Sequence, residues 1–312
     1  MMSRYIFGVD LGGTTVKMGL FTDKGEVLDK WEIVTDKSDN GAKILPDIAE
    51  SIKKKQAEKN IAKEDVIGVG LGAPGPVDSK GMIYKAPNLG WGVFNVSEEL
   101  GRLSGFPVKT GNDANVAALG EMWMGGGKGY DSLVMVTLGT GVGGGVIVEG
   151  RLIAGSTGAG GEIGHIRMFD DEEETCGCGN KGCLEMYASA TGIVRLAKRR
   201  LAKDDKASVL RGRDISCKDV WDAVKDKDEI ATEVAEQFGQ ILGKGLASIA
   251  CVVNPEAFVI GGGVSKAGTI ILDYIEKNYN ETAFGGCKNA VFKLATLGND
   301  AGIYGAAKLV LE

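Results

Sequence analysis

Four side chains that commonly bind metal ions cluster near the middle of the chain: His165, Cys176, Cys178 and Cys183. Three thiols with one imidazole form a typical tetrahedral ligand set for zinc, and these soft donors favour zinc over magnesium or calcium. Four protein ligands leave no position open for a substrate, so we predict a structural zinc site. An unmetallated cysteine-rich turn and a redox pair are the alternatives. His165 is the single histidine of the chain, which excludes any mechanism that needs two.

Two turns rich in glycine and threonine are candidates for binding phosphate, and each follows a predicted strand. Small residues let backbone N–H groups approach phosphate oxygens, and threonine adds a hydroxyl donor. A single such turn is typical of an ordinary hairpin. One in each half of the chain, with a later glycine run, favours nucleotide binding by two domains. The predicted nucleotide-binding residues are Asp10, Gly12, Gly13, Thr14 and Lys17; Gly139, Thr140 and Gly141; and Gly261, Gly262 and Gly263.

Four acidic residues are candidates for magnesium binding, for proton transfer or for sugar binding. Asp10 ends the first strand, where we expect it to hold Mg²⁺ through water, because Mg²⁺ keeps much of its hydration shell. Asp113 follows Asn112 at the start of a predicted helix. It is either a helix cap or a base that takes a proton from a substrate hydroxyl during phosphoryl transfer. Glu162 and Glu185 flank the cysteine loop, where they are either surface acids or hydrogen-bond acceptors for sugar hydroxyls.

The elements that must position these residues follow a repeated plan. Residues 5–21 predict a strand, a glycine turn and a second strand, and residues 133–148 repeat that pattern. This is a weak internal repeat that indicates two halves of similar design. Apolar residues at helical spacing predict a helix over 41–59, helices dominate 191–253, and a closing helix covers 301–311. Hairpins followed by alternating strands and helices indicate an α/β class with mixed sheets.

Composition limits the classes of function. The chain has 312 residues, a net charge of −6 and no run of about 18 apolar residues that would span a membrane. The N-terminus lacks an apolar signal segment, so we expect a cytoplasmic protein with neither a membrane nor a nucleic-acid partner. Three windows match G-x-G-x-x-G, but none lies between a strand and a helix, and no P-loop sequence is present. The cysteines outside the loop, Cys217, Cys251 and Cys287, are expected to be buried.

Together these segments resemble the ROK family of repressors, open reading frames and kinases, and most closely its glucose kinases. The resemblance runs the full length, and its cysteine pattern is matched at every position. The stretches that carry it are Asp10–Thr14, Gly72–Gly75, Asn112–Asn115, Leu138–Gly141, Gly160–His165 and Cys176–Glu185. It implies an actin-like ATPase (ribonuclease H-like) fold, with two domains of mixed sheets around a cleft. Residues 1–113 with 300–312 would form a small domain, and 114–299 a larger one with the zinc loop and nucleotide site.

The resemblance also implies an activity: ATP-dependent phosphorylation of glucose at the 6-hydroxyl, with Mg²⁺ bound to ATP and a structural Zn²⁺. Asp113 would be the base, and His165 would both ligate zinc and face the sugar. A homodimer or homotetramer is expected. The implied sugar contacts are Asn88, Asn112, Asp113, Glu162, His165 and Glu185.

Two other functions remain open at this point. One is a kinase of the same family that acts on fructose, N-acetylmannosamine or mannose. The segment from Tyr187 to Gly192 resembles the glucose kinases more. The other is a sugar-sensing regulator of the same family. Such regulators carry an N-terminal helix-turn-helix, whereas here the first predicted strand begins at Tyr5 and the net charge is −6.

Overall fold

A computed structural model describes residues 4–84 and 86–312. The strands are β1 (Tyr5–Leu11), β2 (Thr15–Thr22), β3 (Val27–Val34), β4 (Val66–Ala73), β5 (Met82–Ile83), β6 (Phe94–Asn95), β7 (Val108–Asn112), β8 (Leu133–Leu138), β9 (Val142–Val148), β10 (Arg151–Leu152), β11 (Ala257–Gly261) and β12 (Val291–Leu294). The helices are α1 (Ser38–Gly41), α2 (Ile44–Glu58), α3 (Val96–Ser104), α4 (Asp113–Met124), α5 (Glu185–Ala188), α6 (Ala190–Leu201), α7 (Cys217–Lys225), α8 (Glu229–Val253), α9 (Ile270–Thr282) and α10 (Ala301–Val310).

Two five-stranded sheets share one plan. The first has the order β3-β2-β1-β4-β7 and the second β10-β9-β8-β11-β12. In the first, β1 pairs antiparallel with β2 and parallel with β4, and β4 pairs parallel with β7. In the second, β11 pairs parallel with both β8 and β12. The internal repeat read from the sequence is therefore confirmed, because the same strand order occurs twice.

The chain divides into two compact units. The first contains the residues up to Gly129, Gly145–Gly161 and Leu297–Glu312, and the second contains Tyr130–Gly144 and Glu162–Thr296. One of the points at which the chain passes between the units, Gly144 to Gly145, thus lies inside β9. Residues 114–129 and 145–161, which the sequence analysis grouped with the second domain, group here with the first. For residues 114–129 the physical reason is that α4 packs along α10, which belongs to the first unit. Residues 145–161 in turn contact α4, where Asn115 Nδ2 donates to Gly160 O at 3.4 Å.

Glycines let α10 approach its neighbours at backbone distance. A Cβ atom at position 8 of β1 would lie 2.1 Å from Ile303 O, and one at position 70 of β4 would lie 1.7 Å from Ala306 O. A Cβ atom at position 305 would lie 1.6 Å from Val116 O of α4. Part of the high glycine content therefore serves the contact of α10 with the sheet and with α4.

The opposite face of the first sheet is covered by the apolar side of α2. Ile44, Ile48 and Ile52 are at most 1% exposed, which confirms the helical spacing read from the sequence. The expectation for the scattered cysteines is only partly correct. Cys287 is buried, but Cys217 is half-buried and Cys251 is exposed on α8, because its position falls on the outer side of that helix. Among the described residues, no helix is both long and apolar enough to cross a bilayer.

The packing of α10 generates a prediction. Gly305→Ala should lower the melting temperature, because the added methyl group meets the Val116 carbonyl and only a shift of the two helices can relieve the overlap. Overpacking of this kind costs about 1–3 kcal/mol. The matched control is Gly101→Ala in α3, where the nearest atom to the new Cβ is 3.4 Å away. This control should be neutral or stabilising by up to about 1 kcal/mol, because alanine favours helix.

Thermal unfolding followed by circular dichroism measures both variants. Equal melting temperatures for the two would contradict the proposed contact.

Candidate active site

In the first unit, the turn between β1 and β2 is hydrogen-bonded to Thr35, the residue that follows β3. Gly12 N donates to Thr15 O at 3.0 Å, and Thr35 Oγ1 donates to Gly12 O at 2.7 Å. Thr35 N also donates to Thr14 O at 3.0 Å. Gly13 and Thr14 are exposed at the tip. The turn is thus rigid at its base and accessible at its tip, as a phosphate-binding turn must be.

Asp10 lies at the carboxyl edge of the first sheet, beside the start of α10. It faces Lys17 in the β1–β2 register and Gly72 in the β1–β4 register. A Cβ atom at position 302 would lie 2.5 Å from Asp10 Cγ, so glycine there leaves space for the carboxylate. Burial is the main cause that raises the pKa of Asp10 to about 6; the charge of Asp113 raises it further, and Lys17 lowers it. A divalent cation would relieve this unfavourable charge.

Lys17 has a second contact beside its charge interaction with Asp10. Its Nζ donates to Asn299 O at 3.3 Å, next to the start of α10. Lys17, predicted to bind nucleotide, thus already links β2 to the segment before α10 in this structure.

The helix cap that precedes Asp113 is Asn112. Asn112 Oδ1 accepts from Ala114 N at 3.0 Å and from Asn115 N at 3.2 Å, while its Nδ2 donates to Gly75 O at 3.1 Å. Asp113 is therefore the first residue of α4 rather than its cap, which removes the capping alternative.

The Asp113 carboxylate remains accessible. Its Oδ1 accepts from Ala114 N at 2.8 Å, and the side chain is exposed to solvent. Surrounding protein atoms nevertheless disfavour the charged form, and this desolvation raises the pKa of Asp113 above its usual range, against the lowering effect of the Ala114 hydrogen bond. A carboxylate with a raised pKa is a better proton acceptor.

Asn88 is a separate case. It is exposed on the short 3-10 turn Pro87–Leu89, which belongs neither to the β1–β2 turn nor to α4. Its role in sugar binding stays a prediction.

In the second unit, the four predicted metal ligands come together. One ligand atom from each of His165, Cys176, Cys178 and Cys183 lies within 4.8 Å of all the others. Cys178 Sγ is 3.7 Å from Cys183 Sγ, and Cys176 Sγ is 3.8 Å from His165 Nδ1. With Zn–S bonds of about 2.3 Å, tetrahedral geometry separates two sulfur ligands by about 3.8 Å. The donor set therefore fits a tetrahedral cation.

Two predicted sugar-binding residues, Glu162 and Glu185, lie beside this cluster, and a third, His165, is one of its members. His165 Nδ1 lies 3.7 Å from Glu185 Oε1, and its Nε2 lies 3.9 Å from Glu162 Oε2. Cys176 Sγ donates to Glu185 Oε1 at 2.8 Å. One nitrogen of the imidazole thus faces the cysteines and the other faces Glu162, so a single ring is able to serve both predicted roles.

The second glycine–threonine turn is tied to the α5–α6 junction. Ala190 N donates to Gly139 O at 2.8 Å, and Thr191 Oγ1 donates to Thr140 O at 2.9 Å. A Cβ atom at position 141 would lie 2.5 Å from Glu185 Oε2. Gly141 therefore makes space for a carboxylate, a role beyond the predicted approach to phosphate.

The glycine run after β11 lies next to the end of β8. Gly261 pairs with Thr137 in the parallel register. Gly262 has a φ of 83°, and a Cβ atom there would lie 2.5 Å from Leu138 O. The carboxyl ends of neighbouring parallel strands are the usual place for nucleotides in α/β sheets. The structure thus brings Gly139–Gly141 and Gly261–Gly263 to one edge.

A cavity beside this edge was not foreseen from the sequence. It has a volume of about 530 Å³ and a mainly apolar lining that includes Gly263, Ala190, Cys217 and Trp221. Because α7 carries no recognisable motif, only the fold reveals that Trp221 and Gly263 share a cavity. No motif in the sequence indicates that Gly302 lies beside Asp10; only the fold shows this contact.

Residues 6–312 match the ROK family. The chain belongs to the ROK family. A glucokinase of Halalkalibacterium halodurans is 43% identical to this ROK protein, and the match covers 100% of the present chain and 96% of the relative. An N-acetylgalactosamine kinase of a Shewanella species is 30% identical, and that match covers 97% of the present chain and 96% of the relative.

Among solved structures, a ROK family glucokinase from Streptomyces griseus, crystallised with glucose and AMPPNP, is 36% identical. It has a TM-score of 0.73, with 98% of each chain covered. These similarities confirm the actin-like ATPase fold, with mixed sheets in two domains, that the sequence predicted.

The metal cluster generates a prediction. Protein purified without chelator should contain about one zinc per chain, as expected for a closed four-ligand site. Cys178→Ala should lose that zinc, because three ligands hold the ion far less tightly. The matched control is Cys251→Ala, which removes an exposed thiol outside the cluster and should retain full zinc content. Elemental analysis measures all three proteins. Native protein without zinc, or equal zinc in both variants, would refute the assignment.

Proposed function

We propose that this ROK protein transfers the γ-phosphoryl group of ATP to the 6-hydroxyl of glucose. The observation that carries the proposal is the pair Asp10 and Asp113, two carboxylates at one sheet edge with raised pKa values. Asp10 is proposed to hold a nucleotide-bound cation, and Asp113 is proposed to accept a proton from a hydroxyl. The glucokinase of H. halodurans at 43% identity, against 30% for the N-acetylgalactosamine kinase, supports glucose as the acceptor.

Asp113 is the proposed base. With Asn112 acting as the cap, the Asp113 carboxylate is able to accept a hydrogen bond from the 6-hydroxyl and then its proton. Oxygen O6 forms a bond to the γ-phosphorus as the bond to the ADP oxygen breaks. In a loose transition state the proton moves late, so orientation of the hydroxyl is a large part of the contribution of Asp113.

The nucleotide phosphates are proposed to bind the backbone of the two glycine–threonine turns and of the glycine run at 261–263. Asp10 would hold the Mg²⁺ that accompanies ATP, through water. Once bound, that cation would neutralise charge on the β- and γ-phosphates. Lys17, opposite Asp10 in the β1–β2 register, adds a positive charge to the same edge. The cavity beside Gly263 and Trp221 is proposed to take the adenine, because an apolar wall suits a flat base.

The sugar is proposed to bind Glu162, His165 and Glu185, with Asn112 and Asn88 as further contacts. Carboxylates accept hydrogen bonds from sugar hydroxyls, and charged acceptors make the stronger ones. A zinc ion held by the three cysteines and His165 would be structural and would take no part in phosphoryl transfer. It would fix the loop that carries His165, whose Nε2 lies beside Glu162.

A panel of acceptors tests the function. Glucose should give the highest kcat/KM with ATP and Mg²⁺, ahead of fructose, mannose and N-acetylmannosamine, measured as ADP release. A sugar that does not place a hydroxyl against one of these carboxylates leaves that carboxylate without its partner once the bound sugar excludes water, which discriminates between acceptors. A tenfold advantage for another hexose would replace glucose as the substrate, and release of ADP with none of them would refute kinase activity.

Asp113→Asn tests the base. The amide keeps the size of the side chain and still hydrogen-bonds the hydroxyl, but it cannot accept the proton. General-base catalysis contributes about 10²–10⁴-fold, so kcat should fall at least about a hundredfold while glucose binding by calorimetry changes little.

The matched control is Asp47→Asn, which also removes an acid from the first turn of a helix. It loses the same helix-dipole interaction and should keep its turnover. An Asp113→Asn enzyme within threefold of wild type would mean that the base lies elsewhere, with Glu162 and Glu185 the next candidates.

A further inference from the structure

The helix that begins with Glu185 is too short to be stable on its own. α5 has four residues, Glu185–Ala188, and no side chain caps its start. A single helical turn in isolation is unstable, because nucleation costs more than one hydrogen bond returns. The direction of the Glu185 carboxylate must therefore depend on contacts that fix α5 from outside.

One such contact comes from α6. Arg195 Nη1 donates to Met186 O in α5 at 2.6 Å. The same guanidinium is held by an ion pair between its Nε and Glu174 Oε2 at 2.8 Å. Arg195 thus links the backbone of α5 to the acidic run Asp170–Glu174, which precedes Cys176.

A second contact reaches a buried side chain of α5, that of Tyr187. Tyr187, 4% exposed, donates its hydroxyl to Glu172 Oε2 at 2.6 Å. Glu172 is itself paired in bidentate fashion with Arg199, whose Nη1 and Nη2 each lie 2.9 Å from one carboxylate oxygen. Arg199 Nη2 also donates to Glu174 Oε1 at 2.9 Å. The ring of Phe169 packs on Tyr187 with centroids 4.7 Å apart.

These contacts give the acidic run a defined structure. The Glu172 side chain is 6% exposed, and a carboxylate so buried needs a paired cation. Hydrogen bonds from Arg199 are the largest cause that holds the pKa of Glu172 at about 2. The acidic run Asp170–Glu174 is therefore partly an internal ion-pair network.

We propose that Glu172, Glu174, Arg195 and Arg199 form a clamp on α5 that positions Glu185 for sugar binding. The four residues are called the α5 clamp below. Arg199 and Glu172 are then positioning residues, because neither needs to touch the sugar. The inference rests on the proposed role of Glu185 as a sugar ligand.

The clamp requires arginine and not merely positive charge. The guanidinium of Arg199 spans both oxygens of Glu172 and reaches Glu174 as well. A lysine ammonium is a point charge that cannot reproduce this planar pairing. Arg199→Lys should therefore keep the charge balance while loosening Tyr187 and, with it, α5.

The decisive experiment compares Arg199→Lys with Arg200→Lys. Arg200 is the next residue of α6 and is also ion-paired, to Asp204 and Glu233, but these partners lie outside the α5 clamp. Arg199→Lys should raise the KM for glucose about tenfold, with kcat and the KM for ATP within about twofold of wild type, since a ground-state sugar contact is weakened. Arg200→Lys should leave all three unchanged. Zinc content, measured on the same preparations, should be unaltered in both.

A double-mutant cycle with Glu185→Gln separates the clamp from the role of Glu185 itself. If Glu185→Gln leaves the KM for glucose unchanged, the proposed role of Glu185 is refuted. If Glu185→Gln weakens glucose binding, the Arg199→Lys effect should largely disappear in the Glu185→Gln background, because both changes act through one carboxylate. Fully additive effects would overturn the clamp.

Two other results would also overturn it: equal kinetics for Arg199→Lys and Arg200→Lys, or zinc loss that accompanies the change in KM. If Arg199→Lys does not fold, Tyr187→Phe replaces it. That variant removes the hydroxyl contact with Glu172 and leaves the Arg199 pairing in place. It should raise the KM for glucose about threefold, the effect of losing one modest hydrogen bond. An unchanged KM would then count against the clamp.

Discussion

The first unit depends on the backbone of α10 lying directly on β1, β4 and α4. This distance is possible only because Gly8, Gly70 and Gly305 present no side chain at the contact. The same approach places Gly302 against the carboxylate of Asp10. The surroundings of Asp10, and hence its desolvation, are thus consequences of backbone packing that extends well beyond the site. Substitutions far from any ligand are expected to reach the chemistry through this helix.

In the second unit, Glu185 is the residue on which the packing around the site depends, because several segments of the chain contact it. Its carboxylate oxygens contact the Cys176 thiol and the backbone of Val142, and Gly141 leaves room for it. Ser189, which donates to Glu185 O at 2.6 Å, also caps α6. The cysteine loop, the glycine–threonine turn at 139–141 and the start of α6 therefore all contact the short helix α5. A change in any of them alters the position of a carboxylate proposed to bind the sugar.

What the sequence predicted correctly was carried by local signals. The Cys3His spacing, the helix that starts beside Asp113 and the two strand–turn–strand segments each lie within about twenty residues, where periodicity and turn chemistry act. What it missed depends on packing between distant segments. Gly302 meets Asp10, and Trp221 shares a cavity with Gly263, across separations that no motif records. The division into units likewise follows the α4–α10 contact, and the exposure of Cys251 follows the orientation of one helix.

Ionisation of Asp10 at this sheet edge lowers the stability of the first unit. The pKa of Asp10 is raised from 3.8 to about 6, so the folded protein binds its proton more tightly than the unfolded chain does. The stability that this protonation contributes is present below pH 3.8 and is lost as the pH rises through about 6. At neutral pH the ionised Asp10 therefore weakens the fold. A divalent cation bound at this edge would favour the ionised carboxylate and would stabilise the folded state by mass action. The unfavourable charge of Asp10 is thus the physical basis on which the proposed nucleotide site would select a ligand that carries its own cation.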